Sequence, residues 1–204
     1  MLKLYFAPFT RAVRVRWLLE ELALPYELVR VDFQPTTDRF FQQATPTGKL
    51  PSLEDGEVSI CESGAMVEYL LERYGEGRLA PAPGDPERAE FLQWLHFAES
   101  TAFPPVGIVA WLARYKGEAD RYADLIEDAR GRAAAGFAFV EAALEGREHL
   151  LASGFSAADV MMGFSVAAAK LLGAFPADFP NLEAYHERLQ GRPALQRALD
   201  AGGA

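Results

Sequence analysis

The sequence predicts an α/β domain with the element order βαβαββα, followed by an all-helical (all-α) domain. Three observations predict it. A strand–helix–strand unit fits within the first 31 residues. A short β-hairpin leads directly into a helical pattern that ends at Tyr74. Beyond the proline- and glycine-rich stretch "GEGRLAPAPGDP", residues 75–86, the strand signals largely stop. The expected domains are residues 1–76 and 87–204, with 77–86 as the linker.

The elements follow from local pattern. Leu2–Phe6 is a short apolar run that reads as a buried strand. Thr10 is suited to cap a helix in which Val15, Leu18, Leu19 and Leu22 share one face. Pro25 follows that helix, and Tyr26–Val31 is rich in strand formers. A right-handed crossover between parallel strands is therefore expected. Asp38–Ala44 suits a short helix. Two strands, around Ser52–Glu54 and Val58–Cys61, flank Asp55-Gly56, a strong hairpin signal. Ala65, Met66, Tyr69 and Leu70 recur at helical spacing, which places a helix over Ser63–Tyr74. In the second domain helical periodicity covers Pro86–Phe103 and Ala119–Leu144. Ser156 and Asp159 read as a shortened capping box before Val160–Leu172, a segment apolar nearly all round and so expected at the domain's centre. Asn181–Leu189 and Pro193–Ala201 are the last two expected helices.

Composition bounds the function. Half of the 204 residues are apolar, enough for a substantial core. No apolar run reaches the roughly 18 residues of a membrane span, and Met1–Phe6 is too short for a signal peptide, so a cytoplasmic protein is expected. The single cysteine, Cys61, excludes an intramolecular disulfide and fits a reducing compartment. His96, His149 and His186 follow no metal-ligand spacing, so no metal is expected. A net charge of −9 argues against nucleic acid. Residues 1–50 hold seven basic against five acidic side chains, a net +2 that leaves −11 for the remainder. That asymmetry points to a small anion held by the first part, beside the plainer reading of solvated surface charge.

The segment "GKLPSLEDGEVSICES", residues 48–63, sharpens this. Proline is a poor choice inside a strand but is tolerated at its first residue, where a cis bond fixes a tight turn. Past the hairpin, Glu62 and Ser63 stand at a helix start, where free N–H groups and partial positive charge suit an anion.

Taken with the linker and helical second domain, Gly48-Lys49-Leu50-Pro51, Glu62-Ser63 and Ser156-Ala157-Ala158-Asp159 make the chain resemble the soluble glutathione S-transferases, closest to the bacterial and serine/theta-like members. "TRAVRVRWLLEELALPYE" is similar to the first helix of many bacterial ones. The resemblance spans essentially the whole chain. It implies a thioredoxin-like first domain with Pro51 cis, reduced glutathione as cosubstrate, a helical domain lining an apolar electrophile site, and a homodimer. Leu50 would then pair with the tripeptide backbone as an added strand. Ser63 would offer its N–H and hydroxyl to the γ-glutamyl carboxylate, Glu62 would accept from the amine, and Lys49 would meet the glycyl carboxylate. The plain alternatives are a Ser63 N-cap and a favourably placed Glu62 acid.

For the thiol, Thr10 sits where serine-type members carry serine, four residues before Arg14. Its hydroxyl would donate to the thiolate at a helix start; the alternative is an N-cap only. Tyr5 and Arg11 are the second choices. Threonine departs from the commoner serine, as Thr45 does from a frequent asparagine before Pro46. Cys61 reads as a small packed residue rather than a nucleophile. Trp17, Trp94 and Trp111 read as core or site walls. Phe97, Phe103, Trp111 and Tyr115 are candidates to line the apolar site, or plain core. The expected reaction is attack of bound glutathione thiolate on an apolar electrophilic carbon or a peroxide oxygen. A glutathione-dependent isomerase or dehalogenase, and a non-catalytic binding protein of the same fold, are the rival readings.

Overall fold

The computed structural model describes residues 1–31, 45 and 47–200, apart from the side chain of Tyr115. They form two compact units, one of Met1–Ala80 with the segment from Gln190 on, the other of Pro81–Leu189. No helix among the described residues is long and apolar enough to cross a membrane.

The first unit is thioredoxin-like. Its strands β1 (Leu2–Phe6), β2 (Tyr26–Arg30), β3 (Ser52–Asp55) and β4 (Val58–Cys61) form one sheet in the order β2-β1-β3-β4. β1 runs parallel to β2 and antiparallel to β3, and β3 pairs antiparallel with β4. Side chains alternate across the pleat. Leu2, Leu4, Phe6 and Leu53 are therefore buried on one face. Lys3, Tyr5 and Glu54 share the other, where Tyr5 also packs with Ala7, Val31 and Leu50. Gly56 makes the hairpin turn at φ 62°, which glycine adopts without a Cβ clash. The helix expected at Asp38–Ala44 lies outside the described residues.

α1 (Ala12–Glu21) and α2 (Ser63–Tyr74) pack against each other. α2 has the bounds its periodicity predicts. α1 is buried on more than one face: every residue from Ala12 to Leu19 is buried, Arg14 and Arg16 included. The cause is α8 (Pro193–Leu199), the last helix, which packs on α1 rather than among the helices of the second unit. Polar contacts fix that seam. Arg192 forms a fork on Glu21 at 2.7 and 2.9 Å, and Glu21 also accepts from Trp17 Nε1 at 2.8 Å. Arg197 meets Glu20 at 2.7 Å, and Arg16 Nη1 donates to the carbonyls of Ala198 and Asp200, each at 2.9 Å. Glu20 is pulled down in pKa. Its burial works the other way, but the hydrogen bonds from Arg197 and Tyr26 prevail.

The second unit is helical. α3 (Arg88–Phe97), a π-helical turn (Ala98–Ala102), α4 (Phe103–Val109) and a second π-helical turn (Ala110–Tyr115) run on without a break. Pro104 and Pro105 sit in the first turn of α4, where proline's missing N–H is tolerated best. A 3₁₀ turn (Asp120–Tyr122) leads into α5 (Ala123–Ala143), followed by α6 (Ala157–Leu171) and α7 (Pro180–Gln190). α6 is the buried centre its composition predicts. Its Ser165 hydroxyl donates to Ala98 O at 2.9 Å, inside the first π-helical turn. The capping box forms: Asp159 Oδ2 accepts from Ser156 N at 2.8 Å, while Ser156 Oγ accepts from Ala158 N at 3.2 Å. Asp159 Oδ1 accepts from Leu150 N and the Tyr185 hydroxyl, both at 3.0 Å, so both carboxyl oxygens have donors in the core.

Candidate active site

The sheet register gathers the predicted residues at one end of the first unit. Ser52 pairs with Tyr5 on one side and with Cys61 on the other. One step further the chain reaches Phe6 at the end of β1 and Ala7 just after it, Leu50-Pro51 before β3, and Glu62-Ser63 after β4. The loop from Ala7 carries Thr10 and opens into α1. The Leu50–Pro51 bond is cis. Leu50 is buried, Lys49 is exposed, and among the described residues no backbone hydrogen bond engages Leu50.

Glu62 precedes α2 at φ 70° and ψ 113°, outside the regions an L-residue normally occupies. Such a conformation costs of order 1–3 kcal/mol and concentrates at functional sites. Here it leaves the Glu62 side chain exposed while its carbonyl closes the first helical turn onto Met66 N at 3.0 Å. Ser63 is then the first residue of α2. It is buried, and its hydroxyl accepts from Arg14 Nη1 at 3.3 Å. Phe9, two residues past Ala7, is also in the left-handed region, at φ 60°.

Thr10 is committed locally. Its hydroxyl donates to Ala7 O at 2.7 Å and accepts from Ala12 N at 3.3 Å. A hydroxyl has one proton, so Thr10 caps the first N–H of α1 from one residue ahead of the N-cap position, Arg11, which itself makes no side-chain cap bond. Tyr5 gives its proton to Glu54 Oε1 at 2.8 Å. Burial first, and then that carboxylate, push its pKa up to about 12, which keeps the phenol protonated and directed at Glu54. Arg11 is half-buried at the N-terminus of α1.

Other candidates separate. Cys61 is half-buried at the end of β4. Trp17 and Trp94 are core, while Trp111 is 57% exposed. Phe97 packs with Trp94 and Phe139, and Phe103 packs on Phe164 at 5.7 Å between ring centroids. Thr45 is buried, its carbonyl accepting from Gly48 N at 2.7 Å. Arg14, in the sequence only a spacing mark behind Thr10, is the residue whose placement the pattern leaves unread. A charged residue among the apolar positions of "AVRVRW" is the signal that marks it.

Known proteins match this chain in sequence and fold. Residues 4–78 fit the family model for the glutathione S-transferase N-terminal domain, and residues 103–193 that for the C-terminal domain. The glutathione S-transferase-like protein gedE of Aspergillus terreus is 36% identical over 108 residues, 52% of this chain and 48% of gedE, so the chain spans about half the length of that relative. Two Escherichia coli proteins are matched at nearly full length, each at 30% identity. For the disulfide-bond oxidoreductase YfcG the match covers 98% of this chain and 94% of the relative; for the glutathione S-transferase GstB it covers 93% of each. The solved structure of the glutathione transferase URE2P6 from Phanerochaete chrysosporium, in complex with oxidised glutathione, superposes with a TM-score of 0.85 at 29% identity, covering 97% of this chain and 94% of that one. With both domain models matched in order along one chain, this protein belongs to the glutathione S-transferase family.

Proposed function

We propose that the protein is a glutathione transferase that binds reduced glutathione at this end of the sheet and directs its thiolate at an apolar electrophile. The observation that carries the reading is Ser63, a buried hydroxyl at the first residue of α2 and in contact with the Arg14 guanidinium. That is a place for an anion, and the γ-glutamyl end of glutathione supplies one. Glu62 would accept from the ligand amine, Lys49 would meet the glycyl carboxylate, and Leu50 and Pro51 would hold the peptide backbone. Thr10, at the start of α1, would donate to the sulfur once its proton leaves Ala7 O; Arg11 adds charge nearby. The thiolate sulfur forms the new bond to carbon, and the leaving group departs with its electron pair. The protein would act as a homodimer in a reducing cytoplasm, without a metal, in the detoxification of such electrophiles.

The test is conjugation of glutathione to a panel of apolar aryl halides, epoxides and peroxides by the purified protein. Turnover of at least one substrate class, lost in Ser63→Ala, supports the reading. No turnover across the panel despite glutathione binding would overturn conjugation. A second reading, thiol–disulfide exchange on glutathione-containing disulfides, draws support from the YfcG relative and from the oxidised glutathione held by URE2P6. Reduction of a glutathione mixed disulfide, coupled to glutathione reductase, separates it from conjugation. Sedimentation across micromolar concentrations tests the dimer.

A further inference from the structure

We propose that Arg14 is a positioning residue that makes Ser63 a carboxylate-selective donor. The inference rests on the glutathione reading of the site and assigns a role to a side chain that does not itself touch the ligand in it.

A serine hydroxyl has one proton and two lone pairs, whereas a guanidinium only donates. Arg14 Nη1 approaches Ser63 Oγ at 3.3 Å, so that contact uses a lone pair of the hydroxyl and turns its proton away from Arg14. Among the described residues the Ser63 proton has no acceptor. Ser63 is only 3% exposed, and a buried hydroxyl that withholds its proton is costly. An acceptor arriving at the helix start relieves that cost.

Charge then selects which acceptor. Arg14 is 0% exposed, and a guanidinium keeps its charge at any physiological pH. Ser63 is itself the first residue of α2, whose N-terminus adds partial positive charge. An anionic oxygen accepting the Ser63 proton at this helix start gains more than a neutral carbonyl, and an ammonium group, which only donates, cannot take that proton. Arg14 thus works through Ser63: it aims the one proton and strengthens it as a donor. The two residues, 49 positions apart in sequence, are brought together by the packing of α1 on α2.

The experiment is calorimetric titration with two ligands, glutathione and an analogue in which hydrogen replaces the α-carboxylate of the γ-glutamyl residue. The proteins are wild type, Arg14→Met, Arg14→Lys, Ser63→Ala and the Arg14→Met/Ser63→Ala double variant. Melting temperatures report folding, and Arg14→Lys, which keeps a buried cation, carries the comparison should Arg14→Met not fold. Arg14→Met is expected to weaken glutathione about tenfold, the size of one charge-assisted hydrogen bond, and the analogue less than about twofold. Lysine lacks the fork and restores part of the loss. In the Ser63→Ala background the Arg14 substitution has little further effect. Equal losses for both ligands would make Arg14 merely structural and overturn the proposal, as would unchanged glutathione affinity in either folded variant. A wild-type protein that binds neither ligand instead overturns the glutathione reading beneath it.

Discussion

Replacing Thr10 by alanine tests activation of the sulfur. The hydroxyl proton is held on Ala7 O at 2.7 Å. To serve a thiolate it leaves that carbonyl, giving up a neutral hydrogen bond of about 0.5–1.5 kcal/mol for a charge-assisted one of about 1.5–3 kcal/mol. The net gain is about 1 kcal/mol, or roughly 0.7 of a pKa unit. Removing it raises the pKa of the bound thiol by that amount. Below both midpoints less thiolate exists, so conjugation at neutral pH slows about fivefold. The same substitution removes the acceptor of Ala12 N–H, 3.3 Å away, and with it about 1 kcal/mol of stability as a lost cap. For a chain of this length that is a melting-point drop of roughly 2–4 °C. Thr10→Ser keeps both the cap and the donor and retains activity. Thiolate absorbance of the glutathione complex, followed against pH in wild type and Thr10→Ala, separates the two effects. A lowered melting point with coincident titration midpoints would refute the donor role and leave Thr10 a cap, with Arg11 and the helix start facing the sulfur.

Two further outcomes concern the frame around the site. Asp159→Asn replaces one carboxylate oxygen with a donor amide in a buried network that needs acceptors for Leu150, Ser156 and Tyr185; stability falls by about 3 kcal/mol, seen as a melting point lower by roughly 6–12 °C. Hydrogen bonds from Tyr74 (2.5 Å) and Tyr69 (2.8 Å), with Arg73 beside them, hold Asp55 below the usual carboxylate range despite its burial. A depressed carboxyl contributes stability above its unfolded pKa, roughly 4, and loses it as pH falls through the folded value. Wild type therefore exceeds Asp55→Asn most near pH 7, and the gap in chemical-denaturation midpoints closes below about pH 4; a gap independent of pH would contradict this.

Features written in short windows were legible in the sequence. Leu2–Phe6, the helix over Ser63–Tyr74 and the Ser156–Asp159 capping box all sit where local pattern puts them, and the hairpin forms with its turn at Gly56-Glu57, one residue beyond the expected Asp55-Gly56, because Asp55 still pairs with Val58. What local pattern cannot carry is register shifts and long-range packing. The helical run through Pro104-Pro105 breaks the 3.6-residue period at two π-helical turns, so it reads as an interruption. α8 looks like one more helix of the second domain because nothing near Pro193 in sequence announces Glu20 and Glu21 as partners of Arg197 and Arg192. At the site, Glu62-Ser63 behind a cis Leu50–Pro51 bond was readable from motif order. The proton on Thr10, the Glu54 partner of Tyr5 and the Arg14 contact to Ser63 were not: each depends on where a side chain turns after the backbone is set.

The central claim is that the start of α2 holds the γ-glutamyl carboxylate of glutathione through Ser63. Calorimetric titration of wild type and Ser63→Ala with reduced glutathione at neutral pH tests it most directly. Saturable one-site binding is expected in wild type, with affinity about ten- to a hundredfold weaker in a folded Ser63→Ala, the loss of one charge-assisted hydrogen bond of about 1.5–3 kcal/mol. No binding by wild type, or equal affinity in the two proteins, would contradict it.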